Sequence, residues 1–410
     1  MRKVIAPLAL VGALTLVCAV AAIAGNGSPI NNSANKLTLA VYGDAPYGLN
    51  DADPREYNAT PAFIDKINSD PQVDLVAHVG DIHSGQQRCT QAYDQSIADL
   101  WAAYKDPVIY TPGDNEWTDC NKSGESGGAY NKTTKAIDYV KDADGNCVDY
   151  QCGNPVANLG LVRSIFFANP GYTLGGRKKQ VISQAQVGTG TDAKYVENVM
   201  WEQSQTLFVT VNLPGGSNDD QDVWYKAPTE TAEQTQERTE RDQADLDWIK
   251  AAFDQATADG VGSIVILEQA DMWDLDGKDA SHIKAYDPFI SSIATKTAAF
   301  GKPVLLINGD SHSYRSDNPL VDNASCVLEQ QPPDGGPAGP CDGDAYDNQA
   351  ANGLSFDVPN FHRLVVHGDN QATDAPLEWL KLTDDPRASN DTTSTSFGPF
   401  SWTREIGPTP

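Results

Sequence analysis

One pattern constrains this chain more than any other: its apolar, β-prone runs each end on an acidic, amide or histidine residue. Leu37 to Gly43 delivers Asp44, Val73 to Gly80 delivers Asp81, and Pro107 to Gly113 delivers Asp114, Asn115 and Glu116. Ser263 to Leu267 leads into Glu268, Gln269 and Asp271, and Pro303 to Gly309 into Asp310 and His312. Apolar residues at helical spacing fall between or beside these runs, at about Thr60 to Asn68, Thr90 to Tyr104, Pro155 to Ala168, Thr229 to Ala258 and Pro288 to Phe300. Strand alternating with helix implies an α/β fold, and in open α/β sheets ligands bind beyond the carboxyl ends of the strands. Five such ends side by side gather several carboxylates in one cleft, and like charges a few Å apart need a cation to stay ionised together. A metal site is the economical reading. Gly precedes Asp44, Asp81, Asp114 and Asp310, which predicts that each acid leaves its strand through a residue tolerant of unusual φ/ψ, although one Gly-Asp alone is ordinary turn chemistry.

Charge and cysteine usage narrow the setting. The 410 residues include 56 acidic and 29 basic side chains, for a formal net charge of -27, and the longest basic run is Arg177-Lys178-Lys179. A nucleic-acid binder needs a basic face, so neither nucleic acid nor an anionic membrane surface is an expected partner. Arg2 and Lys3 precede an uncharged stretch from Val4 to Ala24 that ends Ala22-Ile23-Ala24. Residues 1–24 therefore read as a signal peptide, or as a membrane anchor if left uncleaved, and the protein is expected to be secreted or extracytoplasmic. Cleavage removes Cys18 and leaves Cys89, Cys120, Cys147, Cys152, Cys326 and Cys341, an even set that suggests disulfides in an exported protein. Of the roughly 15 complete pairings, proximity favours Cys147 with Cys152, Cys326 with Cys341, and hence Cys89 with Cys120. Residues 25–35 read as a flexible leader, 36–385 as one domain with a loop excursion at 322–353, and 386–410 as a polar C-terminal tail.

In order and spacing these motifs resemble the calcineurin-like metallophosphoesterases, the family that includes the purple acid phosphatases. Where that family carries Asp-x-His, Gly-Asp, Gly-Asn-His-Asp/Glu, a lone His and Gly-His-x-His, this chain has Gly43-Asp44-Ala45-Pro46-Tyr47, Gly80-Asp81-Ile82-His83, Gly113-Asp114-Asn115-Glu116, the region of Gln269, and Gly309-Asp310-Ser311-His312. The resemblance runs from Leu37 to about Gly368. It implies an α/β sandwich of two mixed β-sheets flanked by helices, with two divalent metal ions at the strand ends. Asp81 would bridge the ions, Asp44 and His312 would hold one, and Asp114 with Asp310 the other. Tyr47, Gln269 and Glu116 would be ligands or would support them. A one-residue slip would make Asn115 the ligand in place of Asp114.

The departures decide the chemistry. Carboxylates stand where the family has imidazoles, which shifts preference from Zn or Fe toward harder ions such as Mn, Mg or Ca. Asn115 occupies the usual position of the general acid, so His83 is the substitute proton donor, and Arg315 is the candidate anchor for the substrate phosphate. The resemblance, with the export signal, implies an exported phosphoesterase in which water activated by two metals attacks phosphomonoesters or phosphodiesters. The substrate would be a phosphorylated small molecule or another extracellular ester. The alternative is a non-catalytic extracellular binding protein that keeps the fold and at most one cation. His78, inside a strand, reads as a hydrogen-bonded core histidine.

Overall fold

The computed structural model describes residues 29–31, 33–220, 222–330, 336–341, 343–368 and 375–410. The expected signal peptide and Cys18 lie outside them. Two sheets stack face to face. In the first, of eight strands, Leu37–Tyr42, Leu75–His78 and Pro107–Tyr110 run parallel, and Glu378–Asp384 pairs antiparallel with the first of them. The second, of nine, has a parallel centre of Thr206–Thr210, Ser263–Leu267, Val304–Asn308 and Phe361–Val365, with antiparallel edges. Both are mixed sheets with helices on their outer faces.

The strands read as continuous apolar runs because both of their faces are covered. Leu37, Leu39 and Val41 point inward, against Phe208, Val265, Leu305 and Leu364 of the other sheet. Their neighbours Ala40 and Tyr42 point outward, to Phe63 and Ile67 of the Arg55–Ser69 helix and Ile97 and Trp101 of the Gln91–Trp101 helix. The second sheet turns Leu207, Ile264, Ile266 and Leu306 toward Trp248, Ile249 and Phe253 of the Ala232–Asp259 helix and Ile290 and Ile293 of the Asp287–Phe300 helix. Helix ends are set locally: Thr90 and Thr231 accept N-terminal backbone N–H groups, and Gly260 and Gly301 close their helices at φ 71 and 67.

Several expected boundaries move. The 386–410 segment is no tail: Asn390–Thr393, Ser396–Gly398 and Phe400–Ile406 extend the eight-stranded sheet beyond Glu378–Asp384. Phe397, Phe400 and Trp402 are buried there among otherwise polar residues, enough to seal one face of an edge. Nor is the leader wholly detached, since Ile30 bridges to Glu202 and the Glu202 N–H donates to the Pro29 carbonyl at 2.7 Å. The 322–353 excursion carries Val327–Glu329 and Ala338–Pro340, which widen the nine-stranded sheet. Disulfides join Cys89 to Cys120, Cys147 to Cys152 and Cys326 to Cys341. Among the described residues no helix is long and apolar enough to cross a membrane.

One buried acid off the cleft yields a pH prediction. Asp94, 2 % exposed, has an unpartnered Oδ1, and burial, with Glu116 adding, pushes its carboxyl up to about 8. Between the ordinary carboxylate value and about 8 the folded state holds a proton that the unfolded state has released, so stability falls as pH rises through that window. Asp94→Asn should therefore stabilise the protein by roughly 2–4 kcal/mol at pH 8 and by nothing near pH 3. Melting curves at both pH values check this, and a gain independent of pH would refute it.

Candidate metal centre

The carboxyl ends of the two parallel centres open on one side, and the chain reverses sharply there. Asp44, Asp81, Asp310 and His312 take positive φ of 50, 61, 73 and 61, a region uncommon for residues with a Cβ. The preceding glycines do a different job from the one expected. Of the four, Gly80 has a left-handed φ, +97; the others are needed for space. A Cβ at Gly113 would sit 2.0 Å from Asp81 Oδ1, and one at Gly309 would sit 2.4 Å from Asp44 Oδ2. Backbone bonds from Asp44 N–H to the Gly80 carbonyl (3.0 Å) and from Gly309 N–H to the Gln269 carbonyl (3.1 Å) pin adjacent loops together.

Asp44, Asp81 and His312 bring one ligand atom each within 4.8 Å of one another. His312 Nε2 lies 3.7 Å from Asp44 Oδ1 and 3.4 Å from the Tyr47 hydroxyl. Asp44 Oδ1 accepts the Asp310 N–H at 2.9 Å, whereas its Oδ2 is buried with no partner. Asp81 Oδ2 accepts from the Tyr47 hydroxyl (2.8 Å), Asn115 Nδ2 (3.0 Å) and Gln269 Nε2 (3.2 Å), and its Oδ1 accepts the Asn115 N–H (3.2 Å). Gln269 Nε2 also donates to Asp114 Oδ1 at 2.9 Å and Asp310 Oδ1 at 3.4 Å. Burial first, then mutual repulsion, holds Asp44, Asp81 and Asp310 well above the usual carboxylate range, and burial followed by Asp119 lifts Asp114 to about 7. Burial and neighbouring carboxylates likewise keep the Tyr47 phenol protonated.

Four carboxylates destabilised as anions, one with a buried orphan oxygen, and an adjacent imidazole form a donor set that fits a hard divalent cation. The fit is best at Asp44, Asp81 and His312.

Beyond Asp114 and Asp310 a cleft of about 220 Å³ opens, also lined by Asp119, Asp222, Asp271, Lys122 and Lys278. Lys122 Nζ sits 2.5 Å from Asp119 Oδ2 and 3.3 Å from Asp222 Oδ2. Lys122, Lys278 and His282, another cleft residue, carried no strand-end signature in the sequence. Gly215 did have a findable signal. Its N–H donates to Gln269 Oε1, and it opens a Gly-Gly pair five residues past the Thr206–Thr210 strand.

Three expected roles do not survive the geometry. His83 is fully buried, with Nδ1 3.1 Å from the Ser84 carbonyl, Nε2 3.8 Å from Cys89 Sγ and its ring edge-on to Tyr93, so it faces away from the cleft. Arg315 and Asp317 lie two apart on one strand face, which sets the guanidinium Nε 2.6 Å from Asp317 Oδ2 rather than toward a phosphate. Asn115 donates to Tyr47, Asp81 and the His83 carbonyl, each at 3.0 Å, and positions those groups. Glu116 is buried and accepts from the Tyr110 hydroxyl (2.5 Å) and the Gly113 N–H (2.7 Å), bracing the loop that carries Asp114. His78 is a core residue: Nδ1 accepts the Gly80 N–H, Nε2 faces the Ala45 carbonyl, and burial lowers its pKa to about 4.

Two stacked mixed sheets whose converging strand ends carry acids and an imidazole define a hydrolase scaffold of the metallophosphoesterase type. The family model for calcineurin-like phosphoesterases matches residues 37–251, and the chain belongs to that family. None of the curated proteins compared with it matches. Among solved structures it is similar to a purple acid phosphatase from yellow lupin (Lupinus luteus) seeds, at 12 % identity and a TM-score of 0.39 over 86 % of this chain; it spans 50 % of that chain.

Proposed function

We propose that this protein is an exported, metal-dependent phosphoesterase that hydrolyses phosphomonoesters or phosphodiesters of small or extracellular molecules. The observation that carries the reading is the triangle of Asp44, Asp81 and His312, with Asp44 Oδ2 buried and unpaired, in a chain of this family. When bound, a divalent ion supplies the positive charge that polarises the ester and makes water nucleophilic near neutral pH. The chain's own groups prepare that event. The Tyr47 hydroxyl and the Asn115 amide hold the Asp81 carboxylate in one orientation. Lys122, kept charged by Asp119 and Asp222, offers N–H donors to phosphoryl oxygens in the cleft. Asp114 and Asp310 line that cleft, and Gln269 Nε2 joins both of them to Asp81. The two-ion centre implied by the family motifs would add an ion there.

Removing metal with a chelator should abolish turnover of chromogenic aryl phosphates, and restoring Mn, Mg or Ca singly should recover it more fully than Zn or Fe. Bound metal is quantified in parallel. A second reading, a binding protein without turnover, is favoured by two observations: His83 is buried away from the cleft and Asn115 is tied within the site. Folded, metal-loaded protein that turns over no phosphate ester with any ion would establish that second reading.

A further inference from the structure

We propose that this chain binds a single divalent ion, at Asp44, Asp81 and His312, and that the Gln269 side chain fills the place of a second. The inference rests on the metal-dependent reading above and narrows it. Gln269 Nε2 sits among three carboxylates from three strand ends: Asp114 Oδ1 at 2.9 Å, Asp81 Oδ2 at 3.2 Å and Asp310 Oδ1 at 3.4 Å. An amide nitrogen carries two N–H donors and no lone pair for a cation, so these acids gather around its partial positive charge as they would around an ion. The amide cannot profitably flip. Its Oε1 accepts the Gly215 N–H, and reversal would set a carbonyl oxygen against three acids and an NH2 against an N–H.

The side chain is also held in place. Gln269 is fully buried, and its Cβ and Cγ press on Gly80, where an added Cβ would lie 2.6 and 2.5 Å from them. Asp81 fits the same arrangement. Three donors converge on its Oδ2, from Tyr47, Asn115 and Gln269, which saturates the oxygen a second ion would need. Its Oδ1 accepts one backbone N–H, from Asn115. With Oδ2 so engaged, Asp81 would serve one ion rather than bridge two.

The test counts ions. The full chain, stripped with chelator, is reloaded with excess Mn(II), dialysed, and assayed for Mn per chain and for its electron paramagnetic resonance spectrum. The expected result is one Mn with the spectrum of an isolated ion, lost in Asp44→Asn. Gln269→Ala removes the donors shared by Asp81, Asp114 and Asp310 and should admit a second, weaker, spin-coupled ion. Two coupled ions in the unaltered chain would overturn the proposal, as would Gln269→Ala holding at one. Should that variant fail to fold, the count and spectrum of the unaltered chain decide alone. Two ions with turnover defeats this inference and leaves the phosphoesterase reading standing; one ion without turnover does the reverse; no bound ion defeats both.

Discussion

Asp81→Asn should empty the site. In the folded variant we expect metal affinity to fall by about 100-fold or more and phosphoester turnover to fall with it. Asp81 belongs to the Asp44–Asp81–His312 triangle and is also the acceptor for the Tyr47 hydroxyl, the Asn115 amide and backbone N–H, and the Gln269 amide. Asparagine removes the charge and turns one acceptor oxygen into an NH2 facing those donors. Loss of an anion and a donor–donor clash act in the same direction, so the effect should be large. Metal analysis after dialysis, with circular dichroism to confirm folding, measures it. Full occupancy in the variant would remove Asp81 from the site.

A methyl group at Gly113 is expected to do comparable damage from outside the ligand set. Its Cβ would lie 2.0 Å from Asp81 Oδ1 and 2.6 Å from Asp81 N. The first contact would displace the carboxylate, and the second is with backbone that is itself tied into the neighbouring strand ends through the Ala45 N–H to Asp81 carbonyl bond of 3.1 Å. Overpacking of this kind destabilises by about 1–3 kcal/mol or more, and metal should be lost along with stability. Gly160→Ala is the control. Its Cβ meets nothing within 4 Å, and it lies inside the Pro155–Phe166 helix, where alanine is favoured by up to about 1 kcal/mol. If Gly113→Ala melted and bound metal like the unaltered chain, the steric account of the glycines would be wrong.

The contrast between these two glycines shows what the sequence could and could not convey. Apolar runs ending on acids located the strand ends, because a strand covered on both faces is written as consecutive apolar residues and its polar terminus stands out. The reason for glycine beside each acid was not legible, since it depends on which carboxylate a neighbouring loop brings close. Asp44, Asp81, Asp114, Gln269 and Asp310 could be placed together because each lies two to four residues past the end of a strand. His83 and Arg315 could not: His83 lies five residues past the Leu75–His78 strand, beyond the backbone reversal at Asp81, and Arg315 opens the short Arg315–Asp317 strand, so each side chain's direction depends on turns the sequence does not spell out. The final strands escaped notice because three buried aromatics, Phe397, Phe400 and Trp402, are scattered among Ser, Thr and Arg. Lys122 reaches the cleft from a 3-10 turn region whose polar sequence reads simply as loop.

The first strand of the fold, Leu37–Tyr42, lies between Leu75–His78 and Glu378–Asp384, with Leu37 paired to Asp384 and Val41 to Leu380. One of its two hydrogen-bonding edges is thus completed by residues synthesised about 340 positions later. Closing so long a loop carries an entropic cost that grows slowly with length, yet pairings this remote in sequence make folding slow. The eight-stranded sheet cannot close while the ribosome still holds residue 384. The first strand therefore stays half unpaired through the synthesis of roughly 340 further residues.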